Sequence, residues 1–197
     1  MTTLRFAQVF VRNASPDEVR AALIAVLDRD GYAPFDAARI PAGYPAGARE
    51  IDRFLLAGPD AAGTVTLVAS DVRRAFARCN DLAVALPRAL LAALVLPPAE
   101  ALRVKLYRDG ALAHKVGDDP DEELFYTPLP AEAPSVSAFL LAWGASPVSE
   151  ASPDAVARML GVARADLPFD EAAGGGWPVP VVPLTFLSRR SRLFLES

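Results

Sequence analysis

LRVKLYRDGALAHKV, residues 102–116, carries two alternating runs joined at Asp109-Gly110. An Asp-Gly pair suits a two-residue type I′ turn, whose central positions both need positive φ, so the stretch predicts a β-hairpin. In the simple register of such a turn His114 lies opposite Lys105. A hairpin commits this part of the chain to an antiparallel sheet.

Upstream, residues 92–96 form a short apolar run before Pro97-Pro98, the pattern of a buried strand. Leu82, Ala85, Leu86, Ala89 and Leu90 recur at helical spacing, although Pro87 inside that run costs about 3 kcal/mol unless the helix kinks or begins there. Residues 70–80, with Arg73, Arg74, Phe76 and Arg78, read equally as a helical turn or an exposed loop. Residues 51–57 and 64–69 predict a strand pair, with Gly58-Pro59-Asp60 and Gly63 between them. The proline- and glycine-bearing residues 33–49 predict a long connecting loop. At the start, residues 4–11 alternate and then become apolar on both sides, as an interior strand does. Ser15-Pro16-Asp17-Glu18 gives an N-cap, a first-turn proline and a capping-box Glu. Val19, Ala22, Leu23, Val26 and Leu27 follow at helical spacing, and Gly31 ends the helix.

Downstream, residues 118–134 are acidic and then proline-rich, a connector. Two helices are predicted beyond it, over 136–143 ended by Gly144 and over 153–160 between Ser152 and Gly161. The tail from Gly174 holds Pro178, Pro180 and Pro183 among valines, and that density predicts an extended strap over the sheet rather than a central strand. Its apolar residues, Trp177 and Phe186 among them, require burial against something.

The order strand, helix, strand, strand, helix, strand, hairpin predicts an α+β fold. Its form is a mainly antiparallel sheet with two helices on one face, of ferredoxin-like or split βαβ type, plus a C-terminal helical and proline-rich extension. The expected organisation is a sheet domain over 1–117, a connector over 118–134, and a segment over 135–197 packed on the same core.

An apolar share of 52% in 197 residues is ample for a core. The net charge of -4 argues against a phosphate-binding surface, so nucleic acid is not an expected partner. Only Lys105 and Lys115 among the 20 basic residues are lysines, a skew that with abundant Ala and Pro fits a GC-rich bacterial genome. A single cysteine, Cys79, rules out an intrachain disulfide and paired-thiol metal motifs. The apolar run of 89–98 is shorter than the roughly 20 residues that cross a bilayer, and MTTLRFAQVFVRN lacks the pattern of a secretory leader. A cytoplasmic location without a membrane span is expected.

His114 is the only histidine, which excludes a two-histidine metal site and predicts a neutral surface side chain. No G-x-S-x-G elbow is present, and the residues around Cys79 match no nucleophile signature, so Cys79 reads as a small buried hydrophobe. Asp118, Asp119, Asp121, Glu122 and Glu123 are interrupted by Pro120 and lack the glycine that bends a calcium loop, so they read as a solvated acidic loop. Gly174-Gly175-Gly176 fits neither a dinucleotide nor a Walker loop. Arg189, Arg190 and Arg192 form a small basic patch, read as a solvated end.

DLAVALPRAL (81–90), the hairpin and SPDAVARMLGV (152–162) together resemble a set of uncharacterised conserved bacterial proteins over residues 50–165. That resemblance implies a bacterial cytoplasmic protein and no activity. No residue set points to catalysis, a metal or a cofactor. The leading expectation is a non-catalytic protein-interaction or regulatory module, immunity-like or accessory, with a protein partner or a second copy. Its expected contact surface comprises Trp177, Phe186, Asp118, Asp119 and Asp121. Alternatives are a small-ligand sensor, or an enzyme using carboxylates and arginines such as Arg103 and Arg108 with Asp109 or Asp118.

Overall fold

Asp109 and Gly110 take φ of 53° and 76°, so the turn forms with both central residues in the left-handed region. This computed structural model describes residues 6–41, 50–96, 102–117, 136–146, 152–161 and 169–195. The turn joins β6 (Arg103–Arg108) to β7 (Ala111–Val116). Tyr107 pairs with Leu112, but a bulge then sets Leu106 opposite His114 and Lys105 opposite Lys115. The expected pairing of His114 with Lys105 is therefore corrected. Without the bulge Val116 would share a face with the charged Lys105; with it, Val116 pairs with Val104 and both enter the same core cluster.

The hairpin is one end of an eight-stranded sheet with the order β2-β8-β3-β4-β1-β5-β6-β7, antiparallel at every junction. The other strands are β1 (Phe6–Arg12), β2 (Tyr32–Pro34), β3 (Ile51–Ala57), β4 (Val65–Ala69), β5 (Leu90–Leu96) and β8 (Val181–Ser188). The α+β class and antiparallel sheet agree with the sequence, but the sheet is larger and helices cover both faces rather than one.

On the first face, α1 (Pro16–Arg29) and α2 (Val72–Ala85) pack over Val9, Val11, Leu67, Leu91 and Ala93. The capping box at Ser15 is complete: the Glu18 N–H donates to Ser15 Oγ at 3.2 Å, and the Ser15 N–H to Glu18 Oε2 at 2.7 Å. The helix expected across Pro87 instead spans Val72–Ala85, taking in the ambiguous 70–80 stretch and ending before the proline can remove a donor. Leu90 is already in β5, whose residues are apolar toward both faces because both are covered.

On the second face, α3 (Val136–Trp143) and α4 (Pro153–Leu160) pack over Phe10, Ala92, Leu94 and Leu106. Trp143 is their pin. Its ring stacks on Phe139 at 6.0 Å, the Arg12 guanidinium lies 4.5 Å from its centroid, and its Nε1–H donates to Leu160 O at 3.2 Å. A short helix, α5 (Phe169–Ala173), covers Leu55 and Val68 on this face and was not anticipated.

The tail is not a strap. β8 pairs with β3 along its length and with β2 at Phe186–Ser188, so it lies inside the sheet. It tolerates Pro183 because β2 has ended by that point. After β8 the chain turns into α6 (Arg189–Leu195), capped by Ser188 Oγ, which accepts the Ser191 N–H at 3.2 Å. No described helix is long and apolar enough to cross a membrane.

Candidate functional site

The cap at Ser15 fixes the phase of α1, and that phase sets Arg20 and Ile24, one turn apart, beside β8. Across from them β2 stops at Pro34. The Phe35 N–H still donates to Thr185 O at 2.9 Å, continuing the ladder by one rung. Asp36 then breaks it: its Oδ1 accepts the Ala38 N–H at 3.0 Å and starts a 3-10 turn over Ala37–Arg39. The result is a groove of about 270 Å³ lined by Arg20, Ile24, Phe35, Asp36, Pro183 and Leu184.

Backbone parity along β8 shows what the groove adjoins. Gly58 N–H donates to Pro180 O and Ser188 N–H to Glu50 O, so even-numbered residues direct their backbone groups toward β3. Thr185 and the other odd-numbered residues face the opposite way. Among the described residues no strand pairs with residues 181–183 on that side, which leaves the Val181 N–H and C=O and the Pro183 C=O along an open edge. Val182 shares the face of Leu184 and is 45% exposed. Among the described residues Arg20 has no ion-pair partner, and the Arg39 guanidinium lies 5.5 Å from the Phe35 ring centroid. The Arg20 guanidinium and the Asp36 carboxylate both line the groove, and Arg39 stands beside Phe35.

Other clusters are structural. Arg78 bonds Asp52 through Nη1 at 2.6 Å and Asp30 through Nε at 2.7 Å, and its guanidinium lies 5.4 Å from the Tyr32 ring centroid. Burial acts to lower the Arg78 pKa, but the hydrogen bonds and charges of Asp52 and Asp30 outweigh it and leave the group raised. The cavity beside Arg78 and Cys79 is about 20 Å³, room for one water and not for a substrate. Burial pushes the Cys79 thiol up to about 12. His114 is half-buried, and desolvation lowers its pKa. It lies cross-strand from Leu106 of the second-face core, whereas Cys79 belongs to the first-face core, so the sheet separates them. Arg108 and Asp109 form an exposed pair at 3.6 Å.

Of the expected contact residues, the two that are described, Phe186 and Trp177, lie on opposite faces of the sheet. Phe186 is a first-face core residue, 1% exposed, edge-on to Phe54 at 5.9 Å. Trp177 packs on the second-face side, its Nε1–H donating to Ala172 O at 2.8 Å. Asp118, Asp119 and Asp121 lie outside the described residues. Arg189, read as a solvated end, bonds Asp28. The groove residues Arg20, Asp36 and Pro183 were missed; an Asp directly before Ala37-Ala38-Arg39 and the last of three prolines among valines were their only signals. No protein-family model matches the chain, and no curated protein or solved structure matches it.

Proposed function

We propose that this chain is a non-catalytic protein-interaction module of the cytoplasm, acting as an accessory protein through the groove between α1 and β8. Its body is read as a ferredoxin-like core: β5-β1-β4-β3, crossed over by α1 and α2, has that order, and β2, β8 and the β6–β7 hairpin extend it. The observation that carries the functional reading is the groove itself, an open concavity of about 270 Å³ beside a stretch of β8 that no strand among the described residues pairs on that side. Sites that enclose a metabolite usually run to about 300–1,000 Å³ and are largely closed, so the sensor reading has less support. The enzyme reading has less still, since Arg78 is tied to Asp52 and Asp30 and Arg108 pairs with Asp109 on the exposed hairpin turn.

The test is a photo-crosslinking amino acid placed at Val182 in the cells that make the protein. A discrete crosslinked protein is expected there and not with the same group at Leu141, which is more exposed, on α3. No crosslinked species from position 182, or the same species from both, would overturn the reading.

A further inference from the structure

We infer that the groove is a self-association surface, where Arg20 of one copy of this chain pairs with Asp36 of a second copy and a two-fold axis repeats the exchange. This rests on the interaction reading above and names its partner. Both charges line the groove, Arg20 from α1 and Asp36 from the end of β2, and both residues are exposed where a second copy can reach them. No ion pair joins them, and neither has one elsewhere among the described residues. Asp36 uses one carboxylate oxygen, Oδ1, to accept the Ala38 N–H, which leaves Oδ2 for a guanidinium. A groove that holds one cation and one anion apart is self-complementary. A two-fold axis sets each beside its opposite in the other copy, so that two pairs form at once.

The surroundings suit a second copy. The chain carries a net charge of -4, so two copies repel in most orientations. The groove departs from that balance, because Arg20 offsets Asp36 and Arg39 adds a cation beside Phe35. Two copies meeting there bring together the part of the surface where their charges attract. Ile24, Phe35 and Pro183 make the rest of the lining largely apolar, and Val182, on the face of Leu184, is 45% exposed. Covering that surface removes water from around the exchanged pairs, which strengthens both.

The experiment is sedimentation velocity of the full chain across a range of concentrations, where wild type is expected to form a dimer. Asp36→Asn keeps an oxygen for the Ala38 N–H and should raise the dimer Kd about a hundredfold, tenfold for each of the two pairs lost. Arg20→Asp and Asp36→Arg, each alone, set like charges together twice and should abolish the dimer. An equimolar mixture of those two variants should recover it, since one copy then brings only carboxylates and the other only guanidiniums. A wild type that stays monomeric, an unchanged Kd for Asp36→Asn, a charge reversal that dimerises as well as wild type, or a mixture of the two folded variants that stays apart would each overturn the inference. A crosslink from position 182 to a different protein, with wild type monomeric, would sink this inference and leave the interaction reading standing; loss of both crosslink and dimer would remove both.

Discussion

Asp52 is 2% exposed, and its carboxylate is held by Arg78. Removing the guanidinium leaves a buried charge without its partner, which costs more than the pair itself contributes. Arg78→Met is therefore expected to lower stability by about 3–5 kcal/mol in urea unfolding, and Asp52→Asn by less, because the amide still accepts a hydrogen bond. Cys79 is buried and its thiol stays protonated at neutral pH. Native protein should resist a thiol reagent such as DTNB, and labelling should follow the rate of unfolding; prompt labelling would contradict this environment. His114 titrates lower when folded than unfolded because burial disfavours its charge. Its contribution to stability is thus complete above the unfolded value of about 6.5 and fades as pH falls through the folded value. His114→Gln should flatten that limb of the melting temperature against pH. The cysteine was readable from the chain as core; the histidine was expected as a surface side chain opposite Lys105, but it is half-buried opposite Leu106, and burial is what lowers its pKa. The role of Arg78 was not readable, since its partners lie 48 and 26 residues away.

At the scale of elements, local signals decided where helices begin and end. Ser15 and Ser152 cap α1 and α4 through hydrogen bonds within one turn, and Gly144 and Gly161 leave α3 and α4 with positive φ. Propensity failed where a neighbour decided the outcome. Proline density argued against a central strand over residues 181–188, yet β8 forms because β3 supplies a ladder on one side and, among the described residues, no strand pairs with Pro183 on the other. Pro183→Val restores an edge donor at that place. It should leave the melting temperature within about 0.5 kcal/mol of wild type in stability terms while increasing self-association in sedimentation velocity. A sedimentation profile unchanged from wild type at high concentration would mean the edge is already covered. The bulge in β7 is a second case, since the two-residue turn by itself dictates a register that would have put Val116 on the wrong face.

Across the whole molecule, one sheet carries two cores, and β8 ties the end of the chain to its start. It brings Leu184 and Phe186 under α1, and its outgoing turn sets Arg189 on Asp28. A chain truncated after residue 168 loses that strand from between β2 and β3, exposing an apolar edge in place of several buried side chains worth about 1.5–3 kcal/mol each. It is expected to lack a cooperative unfolding transition; a sharp transition in the truncated chain would show that the N-terminal part folds alone. What the sequence determined by itself was what is settled within a few residues: the hairpin turn, the helix caps, the apolar periodicities, and the lack of any motif whose chemistry is written in spacing. The tertiary structure alone decided the strand order, the covering of both faces, the partners of Arg78 and the groove beside β8. Those depend on contacts between residues far apart in the chain, and a strand's edge or a cation's freedom exists only once every other strand has taken its place.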